Sequence, residues 1–335
     1  MDLATEPDRQ APKRRRITSV EVLCALLLAA ILAQSWLQRV LGVPALRTGA
    51  TVFVAVCVQA LPFLVLGVLL SGAIAAFVPA RVLERVLPRR TAAAVGVAGL
   101  AGVALPGCEC ASVPVARRLM SQGVAPAAAL TFLLAAPAVN PVVLVATAVA
   151  FPGRPEMVLA RFLGSLATAI VMGLLWARWG KLDWIVARAL ERVPSTNSNR
   201  WKTFAETART DLVEAGGFLV LGAIISATLG VLVPPSWFDA LGNQLVLGVL
   251  VMAVLAFVLA LCSEADAFVA ASLTALPLLP KLVFLVVGPA IDVKLFALQA
   301  GTFGRSFAVR FAPVTFVVAV CCALGVGTLL IGGAR

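Results

Sequence analysis

Long apolar segments recur along almost all of this 335-residue chain, and they restrict its fold more than any other feature. An α-helix needs about 20 apolar residues to cross the hydrocarbon core of a membrane, and it satisfies its backbone hydrogen bonds within one segment. Charged residues make up only 13% of the chain, and the mean hydropathy is +1.02. The sequence therefore predicts an all-α, polytopic membrane helix bundle in contact with the lipid bilayer. The candidate spans are about 20–40, 50–78, 92–107, 126–151, 159–179, 212–233, 244–262, 281–302 and 306–331.

The basic residues indicate the orientation of this bundle. The net charge of +11 is concentrated in residues 13–16 and in the joints between apolar spans, which is the pattern of the positive-inside rule. No basic stripe is interleaved with aromatic residues, so nucleic acid is not an expected partner. We interpret residues 1–18 as a cytosolic basic tail and 19–42 as a retained transmembrane helix, because the apolar stretch is long for a signal sequence. The predicted location is the cytoplasmic membrane, with a cytosolic N-terminus.

The chain also matches itself. Residues 62–79, "PFLVLGVLLSGAIAAFVP", align without a gap with residues 217–234, "GFLVLGAIISATLGVLVP". Further on, "LPGCECASVPVA" from 105 corresponds to "LALCSEADAFVA" from 259, and "APAVNPVVL" from 136 corresponds to "GPAIDVKLF" from 288. We predict two internal repeats, 50–179 and 212–331, that are joined by a basic cytosolic linker, 180–211.

The charge of the linker bears on how the repeats cross the membrane. If 92–107 crossed completely, the basic linker would lie outside the cytosol, against the positive-inside rule. If 92–122 and 244–279 instead enter and return, or form half-helices, the linker stays in the cytosol. Each repeat then crosses an odd number of times, and the repeats are inverted. Inverted repeats with broken or re-entrant helices are a common plan of secondary transporters.

The first helix break is predicted at "PGCECASVP", residues 106–114. Pro106, Gly107 and Pro114 disfavour a continuous helix, and freed backbone groups are tolerated in a membrane only where they line a cavity or bind something. Cys108 and Cys110 lie on one side of an extended segment, and two soft sulfurs suit a thiophilic species. The alternative is that both are small residues at a tight break. Glu109, an ionisable group at membrane depth, is expected to serve function; the alternative is a pair with Arg117 or Arg118.

The second break is predicted at "CSEADAF", residues 262–268. If it meets the first, the shared site holds three cysteines and up to three carboxylates. Buried carboxylates take up protons readily, so Glu109, Glu264 or Asp266 could exchange protons; the alternative is a hydrogen-bonded structural cluster. The metal-ligand candidates are Cys108, Cys110 and Cys262, although the sequence does not decide whether a metal binds.

Two later helices are expected to be kinked. Pro137 and Pro141 flank Asn140, and Pro289 precedes Asp292. Asp292 and Lys294 cannot share a helix face, but they can pair in an unwound segment or meet charges from the other repeat. The complete set of predicted substrate-binding residues is Cys108, Glu109, Cys110, Asn140, Cys262, Ser263, Glu264, Asp266, Asp292 and Lys294.

At these motifs the chain resembles the predicted permease family that contains the organoarsenical efflux permeases, in particular its branch of uncharacterised bacterial permeases. The resemblance covers about residues 50–330. The family's first motif commonly reads Cys-Ser-Cys-Gly followed by Ile-Pro or Val-Pro, and the second reads Cys-Ser-Thr-Ser-Asp-Ala-Phe. The positions that match are Cys108, Cys110, Pro114, Cys262, Ser263, Asp266, Ala267 and Phe268. Glu109, Ala111 and Glu264 depart. The resemblance implies a polytopic permease of the inner membrane and leaves the substrate open.

These observations favour a secondary transporter that exports a small thiophilic or metal-like solute, such as a trivalent organoarsenical. The alternatives are a divalent metal cation transporter and a membrane thiol-redox protein that uses Cys108 and Cys110. The chain has no Walker A motif, so an ion gradient or a partner ATPase must supply energy. We expect no enzymatic activity and no cofactor, and the sequence leaves homo-oligomer formation open.

Overall fold

The computed structural model describes residues 44–77, 88, 90–104, 109–190, 200–232, 245–273 and 276–332. The predicted tail (1–18), the predicted extra helix (19–42) and Cys108 lie outside these residues. The helices before the linker are α1 (Pro44–Phe77), α2 (Thr91–Ala101), α3 (Glu109–Ser121), α4 (Pro126–Val139), α5 (Pro141–Ala150) and α6 (Pro155–Trp179). Those after it are α7 (Arg200–Leu232), α8 (Leu245–Leu259), α9 (Ser263–Ser272), α10 (Leu278–Ala290), α11 (Val293–Thr302) and α12 (Arg305–Leu330).

The described linker residues include a 3₁₀ turn (Leu182–Trp184) and one helical turn (Ala187–Leu190). The chain divides into two units after Thr48. Of the first unit the structure describes Pro44–Thr48, the start of α1. All packing described below is within the second unit, Gly49–Arg335.

Five helical segments are long and apolar enough to cross a membrane within the described part of the chain. They are Leu46–Phe77, Pro126–Ala150, Pro155–Trp179, Leu278–Thr302 and Arg305–Leu330. Large apolar side chains on the outer faces, such as Val58, Val246 and Val317, are more than half exposed, as expected where lipid replaces water as the solvent. The prediction of an all-α, polytopic membrane bundle is confirmed. The internal repeats and re-entrant helices stay predictions.

The core of the bundle is built on α4 and α10. Every residue from 127 to 140 is buried, as is every residue from 280 to 295. α4 packs against α2, α3 and α6, and α10 packs against α8, α9 and α12; α4 and α10 also touch each other. A helix that is apolar on all sides suits either a core or a lipid-facing span, and packing against several neighbours places α4 and α10 in the core.

Several helices are interrupted at membrane depth. α4 gives way to α5 at Asn140, α10 to α11 at Ile291 and Asp292, and α8 to α9 at residues 260–262. Between α2 and α3 the chain first tightens into a 3₁₀ turn, Gly102–Ala104. The interruptions at Asn140 and Asp292 lie where proline and polar residues interrupt the apolar pattern, and the one at 260–262 directly precedes the polar residues Ser263 and Glu264.

One predicted helix breaker does not break a helix. Pro114 lies inside α3, which runs from Glu109 to Ser121. A proline removes one intrahelical hydrogen bond and crowds the carbonyl four residues earlier. That carbonyl belongs to Cys110, in the first turn of α3, and nearly all residues of the helix are buried by neighbours. Tertiary packing therefore holds this helix through its proline.

Candidate functional site

A buried ion cluster lies where the interrupted helices meet. The Lys294 ammonium, in the first turn of α11, lies 2.5 Å from Glu109 Oε1 at the start of α3 and 3.6 Å from Asp292 Oδ2. It also donates a hydrogen bond to the carbonyl of Ala260 at 3.3 Å. The side chains of Lys294 and Glu109 are only 2% and 1% exposed. A carboxylate from one half of the chain and a cation from the other thus share one enclosed site.

The break before α11 sets the geometry of this cluster. Asp292 is the N-cap of α11, and its Oδ1 accepts a hydrogen bond from the backbone N–H of Leu295. Its Oδ2 faces Lys294. Both alternatives for Lys294 are therefore present: it pairs with Asp292 at the helix break, and it also meets Glu109 of the other half.

Asn140 has the corresponding place before α5 but a local role. Its Oδ1 accepts from the backbone N–H of Val143, and its Nδ2 donates to the carbonyl of Ala136. The side chain therefore joins α4 to α5 across the break. These contacts account for a buried asparagine without a ligand.

Two cysteines belong to the surroundings of Lys294. Cys110 follows Glu109 in α3, Cys262 is the N-cap residue of α9, and both are buried thiols that interact electrostatically with the Lys294 ammonium. Among the described residues, which do not include Cys108, no group of three or more cysteine, aspartate or glutamate side chains could hold a metal ion. The described part of the site thus offers soft sulfur beside charge, with no preformed metal cage.

A second cluster surrounds Arg161, which sequence reasoning missed. Arg161 is fully buried on α6; it donates to Thr147 Oγ1 and to the carbonyl of Ser263, both at 2.7 Å. It interacts electrostatically with Asp266 and Glu264 on α9. Ser263 in turn donates from its hydroxyl to Glu109 Oε2 at 3.3 Å, which connects the two clusters. The available signal was an arginine within a predicted apolar span.

The structure thus brings most of the predicted site residues together. Glu109, Cys110, Cys262 and Asp292 surround Lys294, and Ser263 contacts Glu109. Asp266 and Glu264 lie on the neighbouring Arg161 side; Asp266 is buried and Glu264 half-buried. Asn140 caps α5, and Cys108 is outside the described residues.

The alternative pairing of Glu109 with Arg117 or Arg118 is wrong. Both arginines pair with Asp211 on α7, at 3.7 and 3.5 Å, and Arg117 also pairs with Glu214 at 2.6 Å. The reason is helix length, because Arg117 and Arg118 stand about two turns after Glu109, roughly 12 Å along the axis of α3. α3 therefore carries its acid to the Lys294 cluster and its bases to a separate network.

This second network, which we call the Asp211 network, links three helices. It consists of Asp211 and Glu214 on α7, Arg117 and Arg118 on α3, and Ser71 on α1, whose hydroxyl donates to Asp211 at 2.5 Å. Asp211 is buried although it is charged. A buried carboxylate needs such partners, so the network fixes α1, α3 and α7 against one another.

Comparison with known proteins identifies the family. The family described as "Predicted permease" matches residues 45–327. The chain belongs to this predicted permease family. Bacillus subtilis (strain 168) has a relative named "UPF0718 protein YcgR", 34% identical over 288 residues, which cover 84% of this permease and 96% of the relative. No solved structure is significantly similar to this permease.

A second relative comes from Streptococcus mutans serotype c (strain ATCC 700610 / UA159). Its provisional name reads "two-component membrane permease complex subunit"; it is 30% identical over 290 residues, 83% of this permease and 94% of the relative. Family and membrane-crossing helices together make this chain a multi-pass membrane permease. They point to a transporter rather than an enzyme.

Proposed function

We propose that this permease is a secondary transporter that exports a small thiophilic solute, such as a trivalent organoarsenical, across the cytoplasmic membrane. One observation carries the proposal: Cys110 and Cys262, one from each half of the chain, are buried beside the same ammonium group, that of Lys294. Soft metalloids and metals prefer thiolate sulfur. A nearby cation favours the thiolate form that binds them.

The helix contacts support alternating access between two halves, 50–179 and 212–331. α2 packs on α4 as α8 packs on α10, and α4 packs on α6 as α10 packs on α12. The contacts between halves correspond as well, because α3 touches α11 and α9 touches α5. This correspondence favours a duplication, and inverted repeats allow one half to move against the other around a central site. In this proposal the N-terminus and the linker 180–211 are cytosolic.

The proposed site assigns distinct roles to its residues. Cys110 and Cys262 bind the soft atom of the solute, with Cys108 as the third thiol of the set. Lys294 stabilises their thiolates and is itself held by Glu109 and Asp292. Ser263 keeps the acid of α3 in contact with α9. Because these groups come from helix ends on both halves, relative movement of the halves would change the distances among them.

The proposal is tested in cells that lack their own arsenical exporters. Cells that produce the permease should accumulate less methylated trivalent arsenic than cells without it, and the variants Cys110→Ser and Cys262→Ser should lose this protection. The matched control is Cys321→Ser, since Cys321 is an exposed free thiol on α12. Full resistance in both buried-cysteine variants, at equal protein level, would refute the thiophilic solute. A disulfide between Cys108 and Cys110 that forms and breaks during activity would favour the thiol-redox alternative instead.

A divalent metal cation is the second candidate solute. The observation that favours it is the excess of acids in the Lys294 and Arg161 clusters, where Glu109, Glu264, Asp266 and Asp292 outnumber Lys294 and Arg161. Hard cations prefer such oxygen ligands. Accumulation of a panel of divalent metals in the same cells separates the two: a metal cation transporter should tolerate Cys110→Ser, whereas an arsenical exporter should not.

A further inference from the structure

We propose that Asp266 binds the proton whose movement drives solute across the membrane, an inference that rests on the transport function proposed above. The site is the Asp266 carboxylate on α9 together with the Arg161 guanidinium on α6. Nothing in the thiol site requires these two residues. Their placement, however, gives the permease a proton-binding group close to its solute site.

Asp266 is enclosed but incompletely paired. Its side chain is buried at 2% exposure, and its Oδ2 lies against Gly288 of α10. No hydrogen-bond donor reaches this oxygen among the described residues. A buried carboxylate oxygen without a donor is costly in the charged state, whereas a protonated carboxyl carries no charge to be paired. The environment therefore favours proton uptake when the nearby cation is engaged elsewhere.

Arg161 is such a shared cation. Its two terminal nitrogens donate to Thr147 Oγ1 and to the Ser263 carbonyl, neutral acceptors from α5 and α9. Its charge acts on Asp266 and on Glu264 together. One guanidinium thus faces two carboxylates while its hydrogen bonds go to neutral groups. Asp266 does not have a cation of its own.

The charges around Asp266 come from several elements. Those that act on its carboxylate are Arg161 on α6, Lys294 and Asp292 at the start of α11, and Glu264 on α9 itself. α5 has no ionisable residue, and the only one of α10 is Lys281, in its first turn. Across both clusters four carboxylates face two cations, so acids are in excess. Taking up a proton at Asp266 reduces this excess at a buried acid, one of whose oxygens is reached by no donor of the described residues.

Ser263 connects proton binding to the solute site. Its carbonyl accepts from Arg161, and its hydroxyl donates to Glu109, the partner of Lys294. When Asp266 is ionised it attracts Arg161, and when it is protonated that attraction is lost. A change in the position of Arg161 alters its bond to Ser263 and so the contact with Glu109. The coupling thus runs from the electrostatic interaction between Asp266 and Arg161, through the two hydrogen bonds of Ser263, to the ion pair of Glu109 with Lys294.

The chemistry of the step is limited to the proton. It adds to a carboxylate oxygen of Asp266 in the orientation of the halves that faces the acidic side and leaves in the other orientation. Only the O–H bond forms and breaks. Export of solute in exchange for an entering proton follows from this cycle.

The test uses the full-length permease, purified and placed in lipid vesicles. A methylated trivalent arsenical serves as the solute, with Asp266→Asn as the variant and Asp183→Asn, an exposed carboxylate in the linker, as the matched control. The wild type and the control should accumulate arsenical when a pH difference is imposed and should move protons in the opposite direction. Asp266→Asn should still exchange arsenical at equal concentrations on both sides, but should lose at least about tenfold of the accumulation driven by the pH difference. Accumulation at the wild-type level in Asp266→Asn overturns the proposal.

A second measurement separates this inference from the transport function. Infrared difference spectra between acidic and alkaline buffer, recorded without any solute, should show a protonated carboxyl band that is absent in Asp266→Asn. Carbon-13 labelling of aspartate in the wild type should shift the band, which assigns it without a substitution. If the band is present but no arsenical moves in any vesicle, the proposed solute is wrong and the proton site stands. If arsenical moves but the aspartate band is missing, the proton site is wrong.

Discussion

Removal of the Lys294 ammonium is the perturbation with the clearest expected magnitude. Lys294→Met keeps the length and apolar stem of the side chain but leaves Glu109 and Asp292 buried without their cation. Breaking a buried ion pair by removing one partner costs about 3–5 kcal/mol, because an uncompensated charge remains in the interior. The Lys294 ammonium lies 2.5 Å from Glu109 and 3.6 Å from Asp292, so its removal leaves two buried carboxylates without this cation. We therefore expect the free energy of unfolding to fall by an amount in this range.

Removal of the Glu109 carboxylate, instead of the Lys294 ammonium, should lower the free energy of unfolding by less. In Glu109→Gln the ammonium still has Asp292 and the carbonyl of Ala260. The expected loss is about 1.5–3 kcal/mol, the value of a hydrogen bond to a charged group. The double variant, Lys294→Met with Glu109→Gln, removes one of the two stranded charges and should be more stable than Lys294→Met alone. This order of stabilities is expected because Lys294 has two carboxylate partners and keeps Asp292 when Glu109 is replaced.

The assay is the free energy of unfolding of the purified permease in mixed micelles, followed by tryptophan fluorescence, with Lys202→Met as a control. Lys202 is exposed at the start of α7, and surface changes of this kind usually stay within about 0.5 kcal/mol. A Lys294→Met variant as stable as Lys202→Met would refute the buried ion cluster. A double variant no more stable than Lys294→Met would refute the assignment of Glu109 as its partner.

Further predictions concern packing, the Asp211 network and the helix break at Asn140. A side chain at Gly222 would place its Cβ 2.7 Å from the backbone of α11, so Gly222→Val should prevent folded protein from accumulating in membranes. Gly217→Ala, which meets nothing within 4 Å, should not. Asp211→Asn removes the carboxylate shared by two arginines and should lower the free energy of unfolding by about 1.5–3 kcal/mol, against no measurable change in the exposed control Glu206→Gln. Asn140→Ala removes a helix cap and should cost about 1 kcal/mol in the same assay, while leaving transport per folded molecule close to wild type.

The sequence predicted the membrane bundle and the helix breaks at Asn140 and Asp292, but it wrongly predicted a break at Pro114. Apolar length alone requires helices in lipid, so the class of fold follows from the pattern of residues. Asn140 and Asp292 were identifiable because a polar residue beside prolines within an apolar span can remain there only as part of a break. Both residues cap the helix that follows them.

The ion pairs and hydrogen bonds between the two halves could not be predicted from the sequence pattern. Glu109 had local arginines available in the sequence, yet its partner is Lys294 on α11. Arg161 was overlooked because a long cation near the start of a span can extend its charge to the interface and so carries little signal. Whether that side chain turns inward depends on the neighbouring helices, which supply Thr147 and Ser263 as acceptors.

The sequence by itself determined that this chain lies in a membrane, that its helices are interrupted, and that a few ionisable groups and thiols must be accommodated at depth. These properties depend on the transfer of side chains and backbone into lipid, which is a local quantity. Only the tertiary structure decided which acid meets which base and that Arg161 faces inward. Electrostatic partners are set by distances of a few ångströms between helices remote in sequence, and those distances exist only after the bundle has packed.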